Sequence, residues 1–281
     1  MQKRKALGRG ASSAGPALRR HAAANKPPRT LAIRPRGGPA AAIAPRATAP
    51  QAAINVWPVP QPGPPLASAA ANLQWPPEIS ASFAISIRPA RMQDMRARLG
   101  PWASRVQYFS GTNGESIDVK GWKKKGKCAP GSVLRRGELG CYDSHVRIWK
   151  TIVAQKLPMT LIMEDDANIR YTQQHATRLR QVFDELKRLG KPWHMLYIGG
   201  RGWKSGNLSP SVAVARSCNG LFAYVLTLEG AQLLLAKAKP FHKPVDVLVA
   251  NLHDSGYIKA VAMDPPLCYV VPVHSDTVHI R

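Results

Sequence analysis

Short apolar runs alternate with amphipathic stretches from about residue 83 onward. Runs of this length predict strands, and the 3.6-residue apolar spacing between them predicts helices. The candidate strands are 83–87, 106–109, 160–163, 194–198, 221–226 and 258–263. The candidate helices are 91–99, 139–155, 179–189, 228–239 and 245–254. Strands that alternate with helices indicate an α/β fold with a largely parallel, helix-covered sheet.

The first 82 residues have a different composition. They contain 14 of the 25 prolines and 11 Lys or Arg residues, but Glu78 is their only acid. A proline-rich segment without apolar periodicity is predicted to be disordered. Its basic character allows three interpretations: a transit peptide, a nucleic-acid-binding arm or a solvated tail. The sequence therefore predicts a disordered extension over 1–82 and one folded domain over 83–281.

Charge and cysteine content restrict the class of protein further. The formal net charge of +24 favours anionic partners such as nucleotides, nucleic acid or acidic membranes. No apolar stretch is long enough for a predicted membrane-spanning helix. No secretory signal is recognised, so we expect a cytoplasmic protein from a bacterial or viral context.

The cysteines have no close-pair spacing, which argues against a zinc ribbon or a disulfide framework; they are Cys128, Cys141, Cys218 and Cys268.

Three consecutive acids follow the buried strand predicted at 160–163. They are Glu164, Asp165 and Asp166, in a chain that has only 16 acids. On an extended strand end, Glu164 and Asp166 would point to one side and Asp165 to the other. Carboxylates at the carboxyl end of a strand suit Mg²⁺ or Mn²⁺, which can hold a phosphorylated ligand. The alternative is a set of acids at a helix N-terminus, where the helix dipole favours negative charge.

Residues 137–149 form a second candidate constellation, Gly-Glu-Leu-Gly-Cys-x-x-Ser-His-x-x-x-Trp, at the predicted start of a helix. Gly137 and Gly140 permit a close backbone approach, and helix N-termini bind phosphate. Ser144 and His145 could donate hydrogen bonds there. A histidine on a helix is nevertheless more often structural than catalytic.

The same stretch, followed about twenty residues later by Leu-Ile-Met-Glu-Asp-Asp, resembles glycosyltransferase family 25. Further motifs of that family follow in the same order over residues 83–281: the strand 193–200, the Gly-x-x-Ala-Tyr segment within 219–227, Pro-Val-Asp at 244–246, Pro-Pro-Leu at 265–267 and Ser-Asp at 275–276. The resemblance implies a GT-A type, Rossmann-like fold. It also implies an inverting transfer of galactose or glucose from a UDP-sugar to a hydroxyl group on a glycan or protein acceptor.

The resemblance assigns roles to individual residues. It implies that Mn²⁺ or Mg²⁺ binds at the acid triplet, and His274 is a further candidate ligand. Asp246 in Pro-Val-Asp is the candidate catalytic base, and its alternative role is a helix N-cap. Asp143 and Asp264 are weaker candidates for the base. The candidate donor-binding residues are Ser86, Arg88, Asn113, Gly114, Gly137, Glu138, Ser144 and His145. Among them, Arg88, Asn113 and Gly114 are chosen by their position beyond the early strands, and the alternative role of Glu138 is a structural acid that fixes the loop.

The basic segment 120–127 supports a different function. It is predicted to be a loop, and it places Trp122 among five lysines. Lysines beside an aromatic ring can hold single-stranded nucleic acid by charge and stacking. Such a loop could also hold an anionic acceptor, close over the diphosphate as a lid, or be an ordinary solvated loop. The alternative hypothesis is therefore a basic nucleic-acid-binding protein, or a scaffold, on a degenerate glycosyltransferase fold. The acid triplet argues against it, because a nucleic-acid-binding surface gains nothing from three adjacent carboxylates.

Overall fold

The computed structural model describes residues 75–170 and 172–270, in which six strands form one sheet. In chain order the strands are β1 (Ala81–Ser86), β2 (Gln107–Ser110), β3 (Met159–Glu164), β4 (Met195–Ser209), β5 (Val212–Thr227) and β6 (Ala260–Met263). Their spatial order is β2-β1-β3-β5-β4-β6.

Five of these six strands run in the same direction. β1 is parallel to both β2 and β3, and β4 is parallel to β6. β5 is antiparallel to its neighbours β3 and β4 and is therefore the reversed strand. The predicted α/β fold with a mostly parallel central sheet flanked by helices is confirmed. The reversal of β5 was not predicted, because an apolar run has the same pattern in either direction.

Six α-helices flank this sheet in the described residues. They are α1 (Pro89–Leu99), α2 (Val119–Lys124), α3 (Arg136–Ala154), α4 (Gln173–Leu189), α5 (Leu228–Lys237) and α6 (Val245–Asp254). The prediction of a loop over 120–127 was wrong, because most of that segment belongs to α2. The Asp118 side chain caps α2 by accepting a hydrogen bond from Gly121 N at 2.9 Å.

The sheet separates two apolar cores. Alternate residues of β1 belong to different cores: Phe83 and Ile85 lie in one, and Ala84 lies in the other. The first core contains the apolar side of α3, where Trp149 is fully buried. The second contains α1 and α4, with Phe183 as one of its buried rings. Helices cover both faces, so the strand ends at the edge of the sheet remain available for a site.

The β4–β5 hairpin is much longer than the sequence predicted. The apolar run 194–198 marks the part of β4 that pairs with β6, and the run 221–226 marks the part of β5 that pairs with β3. Beyond them the pairing contains register shifts, and Gly202 and Gly206 have φ of 139° and 69°. Backbone of this kind interrupts the period-two pattern by which strands are recognised, so these extensions were not predicted.

The folded unit begins earlier than the predicted boundary after residue 82. Ile79 is buried, and Ser80 Oγ donates a hydrogen bond to Met159 O at 2.7 Å. The Trp75 and Trp102 rings pack edge to face with centroids 5.5 Å apart. Residues 75–82 therefore belong to the fold. The rest of the predicted disordered extension, and the predicted ligand His274, lie outside the described residues.

No helix within the described residues is both long enough and apolar enough to cross a membrane.

Candidate active site

The three acids lie where β3 ends. β3 finishes at Glu164, and Asp165 and Asp166 form a turn directly after it. The predicted alternation of side chains assumed an extended backbone and does not apply to this turn. The helix-cap alternative also does not hold, because α4 begins only at Gln173 and is capped by Thr172. Since β1 and β3 are parallel, Ser86 at the end of β1 lies beside the acid turn.

Asp165 is held by groups of the protein. Its carboxylate accepts a hydrogen bond from Ser86 Oγ and lies 3.4 Å from Arg91 Nη1. Arg98 Nη2 donates to the Asp165 backbone carbonyl at 2.9 Å. Burial raises the pKa of Asp165, whereas the Ser86 hydrogen bond and the Arg91 charge oppose that rise. These contacts fix the side chain and the backbone of the acid turn.

Asp166 differs from Asp165, because its buried Oδ1 has no hydrogen-bond partner among the described residues. Burial, followed by the nearby negative charges of Glu164 and Asp165, raises the pKa of Asp166 to about 7. A buried carboxylate oxygen without a donor is costly unless a ligand satisfies it. A hard divalent cation would supply the missing partner and offset the repulsion among the acids. The residues present therefore fit the predicted Mg²⁺ or Mn²⁺ site.

Glu164 ends a chain of hydrogen bonds through the protein interior. Trp149 Nε1 donates to Tyr224 Oη at 3.0 Å, and Tyr224 Oη lies 2.9 Å from His145 Nδ1. His145 Nε2 lies 3.0 Å from Glu164 Oε1. If Glu164 is ionised and the ring is neutral, Nε2 carries the hydrogen and Nδ1 accepts from Tyr224. The chain fixes the orientation of the buried His145 ring and holds the Glu164 carboxylate.

Cys141 also contacts Glu164. Its Sγ lies 3.8 Å from Glu164 Oε1, one turn of α3 before His145. Burial raises the pKa of the Cys141 thiol well above its ordinary value, and the negative charges of Glu164 and Asp246 raise it further. The sequence had identified this cysteine only as part of a motif.

Gly140 on α3 and Gly114 in the segment after β2 have a packing role. A Cβ on Gly140 would lie 2.5 Å from Thr112 O, and one on Gly114 would clash with the Arg136 carbonyl. Ser144 Oγ accepts from Thr112 N at 2.8 Å and donates to Gly140 O at 2.7 Å. The close approach at this helix start is therefore made by the loop after β2. Ser144 donates its hydroxyl hydrogen to Gly140 O. It therefore has no hydrogen left for the predicted contact with the nucleotide-sugar donor in this arrangement.

A charged network holds the same loop. Asp143 accepts a hydrogen bond from Thr112 Oγ1 at 2.8 Å and pairs with Lys127 Nζ at 2.8 Å. Arg147 Nη1 lies 3.2 Å from Thr112 Oγ1 and 3.0 Å from Ser110 O. An acid with both oxygens engaged is poorly placed to take a proton from a substrate, so Asp143 is not favoured as the base.

Two clefts open at this edge of the sheet. The first encloses about 670 Å³, counting space open to solvent, and contains all three acids. Its other lining residues are Ile85, Ser86, Ile87, Arg91, Thr112, Gly114, Gly137, Cys141, Ser144 and His145. The second encloses about 730 Å³ and is lined by Glu138, Cys141, Glu164, Gly220, Leu221, Pro244, Val245, Asp246 and Val247. Cys141 and Glu164 line both clefts.

Asp246 is the second residue of α6 and faces the second cleft. Pro244 precedes the helix in the N-cap position, so the N-cap alternative for Asp246 is wrong. Asp246 Oδ1 accepts from Val247 N at 2.8 Å, and Oδ2 accepts from Gly220 N at 3.3 Å. The long second bond leaves Oδ2 weakly engaged at the cleft wall.

The other predicted site residues have local roles. Arg88 N donates to Ser86 Oγ at 2.8 Å, which helps to fix Ser86 beside the acid turn. Asn113 caps a 3₁₀ turn by accepting from Glu115 N at 3.0 Å. Glu138 caps α3 by accepting from Arg135 N at 2.7 Å. Asp264 pairs with Lys204 Nζ at 2.6 Å, and neither cleft includes it in its lining.

Two site residues that lacked an assigned role are Arg91 and Tyr224. Arg91 could have been expected near the site, because it lies on the helix that follows the end of β1. Tyr224 was marked only as part of the Gly-x-x-Ala-Tyr segment on an apolar strand, and that segment gave no sign that the residue acts through His145.

Comparison with known proteins agrees with this geometry. The sequence model of "Glycosyltransferase family 25 (LPS biosynthesis protein)" matches residues 80–249. This match covers more than half of the chain, and the chain therefore belongs to glycosyltransferase family 25.

Curated relatives include proteins described as active and as inactive. Human procollagen galactosyltransferase 2 is 33% identical over 163 residues, which is 50% of this chain and 25% of that protein. Mouse inactive glycosyltransferase 25 family member 3 is 28% identical over 214 residues, which is 68% of this chain and 36% of that protein. The chain thus matches between a quarter and about a third of the length of these relatives.

A solved cytidylyltransferase from Leptospira borgpetersenii is 10% identical, with a TM-score of 0.35 over 65% of this chain and 74% of that one. This likeness is too weak to identify the fold, which is defined by the strand order of the chain itself.

Proposed function

We propose that the protein is an inverting hexosyltransferase that moves galactose or glucose from a UDP-sugar to an acceptor hydroxyl group. The observation that carries this proposal is the pair of clefts meeting at Glu164. One contains three carboxylates and Arg91, and the other contains Asp246. A transferase needs a donor site and an acceptor site that share a boundary where the sugar is exchanged.

The first cleft suits the nucleotide-sugar donor. It lies at the carboxyl ends of β1 and β3, where ligands bind in sheets of this kind. Arg91 brings a positive charge to a cleft with an acidic floor, so the donor diphosphate can pair with that side chain and with a cation. Glu164 and Asp166 are the residues that would hold the cation, while Asp165 remains bound to Ser86 and Arg91. When bound, Mg²⁺ or Mn²⁺ supplies charge neutralisation for the diphosphate leaving group.

The second cleft suits the acceptor. Asp246 Oδ2 is the weakly engaged carboxylate oxygen there, and it is proposed to take the proton from the attacking hydroxyl group. Attack from the side opposite the diphosphate inverts the anomeric carbon in a single displacement. Glu164 stands at the boundary and is held by His145, so the chain fixes one wall of the reaction site before either substrate binds.

Donor hydrolysis tests this proposal without knowledge of the acceptor. The full chain would be incubated with Mn²⁺ and each of several UDP-sugars, and UDP release would be measured. Asp166→Asn removes the proposed cation ligand. Asp184→Asn is a matched control, because Asp184 is an exposed aspartate on α4.

Release from one UDP-sugar that is lost with a chelator and in Asp166→Asn, but retained in Asp184→Asn, would support the proposal. Absence of both UDP release and Mn²⁺-dependent donor binding would contradict it.

A catalytically inactive scaffold is the second candidate function. It is considered because some relatives are named as inactive, such as inactive glycosyltransferase 25 family member 3. The complete acid triplet and its buried unsatisfied oxygen are the features that argue for activity. The donor-hydrolysis experiment separates the two functions.

Nucleic-acid binding through Trp122 gains no support from the geometry. Lys127 Nζ lies 3.4 Å from the centre of the Trp122 ring, and Phe241 packs edge to face with that ring at 6.1 Å. A base could stack on this face of the ring only after Lys127 moved, and Lys127 is also paired with Asp143.

A further inference from the structure

Cys141, His145 and Glu164 form a cluster of a different chemical kind from the acid turn. One ligand atom from each residue, a sulfur, a ring nitrogen and a carboxylate oxygen, lies within 4.8 Å of the other two. Magnesium and manganese favour oxygen ligands, whereas a thiolate and an imidazole favour zinc. We propose that these three residues form a zinc-binding site that inhibits the enzyme by engaging Glu164.

The spacing of the ligand atoms fits tetrahedral zinc. Ordinary zinc bond lengths place a nitrogen and an oxygen ligand about 3.4 Å apart and a sulfur and an oxygen ligand about 3.6 Å apart. The observed separations are 3.0 Å from His145 Nε2 to Glu164 Oε1 and 3.8 Å from Cys141 Sγ to the same oxygen. The third separation, between the Cys141 sulfur and the His145 ring nitrogen, is within 4.8 Å, against about 3.6 Å for the same pair on tetrahedral zinc. Side-chain movements that close this gap would complete the site.

The surroundings also match those of zinc sites in general. Ligating histidines usually bind a second group through their other ring nitrogen, which fixes the ring. His145 has this arrangement, because its Nδ1 lies 2.9 Å from Tyr224 Oη. On zinc binding the ring hydrogen moves from Nε2 to Nδ1, which then donates to Tyr224. The Cys141 thiol gives up its proton to solvent, so one zinc ion displaces one proton.

The site is open on one side. Cys141 and Glu164 line both clefts, so a zinc ion held by three protein atoms would have a fourth position facing solvent. Glu164 is also a proposed ligand of the Mg²⁺ or Mn²⁺ that binds with the donor. Zinc that engages Glu164 would therefore weaken binding of the hard cation. Only this inhibitory consequence rests on the proposed function, whereas zinc binding itself does not.

Metal binding can be measured on the full chain without any donor sugar. Zinc affinity would be determined by competition with a chromophoric chelator, and cobalt would serve as a spectroscopic substitute. We expect one tight zinc site and a near-ultraviolet thiolate-to-cobalt charge-transfer band. Cys141→Ser should remove that band and weaken zinc binding more than about 100-fold, since losing a direct ligand exceeds the loss seen for outer-shell partners. Cys218→Ser is the matched control, because Cys218 is a buried cysteine that is not part of the ligand cluster, and this variant should keep both properties.

A wild-type protein without the cobalt band, or zinc affinity that is equal in wild type and Cys141→Ser, would overturn the zinc site. If Cys141→Ser does not fold, the wild-type band and Glu164→Gln, which should keep the band but weaken zinc binding, decide the question. Zinc binding without inhibition of UDP release, in a protein shown to release UDP, would overturn only the inhibitory role.

Discussion

The first and second clefts differ in how firmly the protein holds their functional groups. In the first cleft, Asp165 is bound by Ser86 and Arg91, and Glu164 is bound by His145. In the second cleft, Asp246 has one short hydrogen bond to a neighbouring backbone N–H and one long bond to Gly220 N. The difference indicates that two of the three acids on the proposed donor side are fixed before substrate binds, whereas the proposed acceptor side has a carboxylate oxygen still available for a proton.

Removing the proposed base should have the largest effect. It tests whether the available carboxylate oxygen in the second cleft takes the proton. We expect Asp246→Asn to lower turnover by about 10²- to 10⁴-fold, the usual contribution of general base catalysis. Donor affinity should remain unchanged, because Asp246 does not line the first cleft. Steady-state turnover together with calorimetric donor binding would check both parts. A variant that loses donor affinity as much as turnover would place Asp246 in donor binding instead.

Removing a positive charge from the first cleft should have a smaller effect, and it should lower donor affinity. Arg91→Met keeps an apolar stem but cannot pair with the donor diphosphate. Hydrogen bonds to charged groups contribute about 1.5–3 kcal/mol, so donor affinity should fall about 10- to 100-fold. Calorimetry with the UDP-sugar would measure this, and Arg188→Met on the exposed side of α4 is the control. Equal affinity in Arg91→Met and wild type would remove Arg91 from the donor site.

Loss of the buried hydrogen-bond chain should appear first as lost stability. Tyr224→Phe leaves the buried Trp149 Nε1–H without its acceptor, which costs about 1–3 kcal/mol. Urea unfolding of the full chain would measure the change in the free energy of unfolding. In Trp149→Phe, which removes the donor as well, the same Tyr224→Phe change should cost less. Additive effects of the two substitutions would mean that this hydrogen bond does not couple the two residues.

The smallest effect concerns pH and the acid turn. The pKa of Asp166 is raised to about 7, above the ordinary aspartate value of 3.8. In the metal-free protein, the contribution of the Asp166 side chain to the free energy of unfolding is therefore complete below pH 3.8. This contribution is lost as the pH rises through about 7. Between pH 6 and 7, wild type should lose roughly 2–4 °C of melting temperature relative to Asp166→Asn, because the two pKa values imply a loss of about 1 kcal/mol over that interval in a domain of this size. Thermal unfolding with and without Mn²⁺ would check this, and Mn²⁺ should reduce the loss in wild type. Parallel pH profiles for the two proteins would contradict the assignment.

Sequence reasoning succeeded where the signal was local. The apolar run before Glu164 and the helical spacing around Trp149 were sufficient to predict β3 and α3, and hence the position of the acids at a strand end. The clefts could not be predicted in the same way. Tyr224 supports His145 across 79 positions of sequence, and Asp246 meets Gly220 across 26. Such contacts depend on the reversed direction of β5, which its apolar pattern does not reveal.

The roles of individual motif residues were also set by tertiary contacts. Gly140 and Ser144 looked suited to phosphate binding, but the structure uses them to hold the loop after β2. A glycine or a serine at a helix start is compatible with either role, and only the position of the neighbouring loop distinguishes the two.

The residue shared by the two clefts has a thermodynamic consequence. Because Glu164 lines both, a ligand that shifts this carboxylate in one cleft alters the free energy of binding in the other. Linkage is reciprocal: the factor by which a bound donor changes acceptor affinity must equal the factor by which a bound acceptor changes donor affinity. A single side chain can thus make the two substrates cooperative, without movement of either helix or sheet.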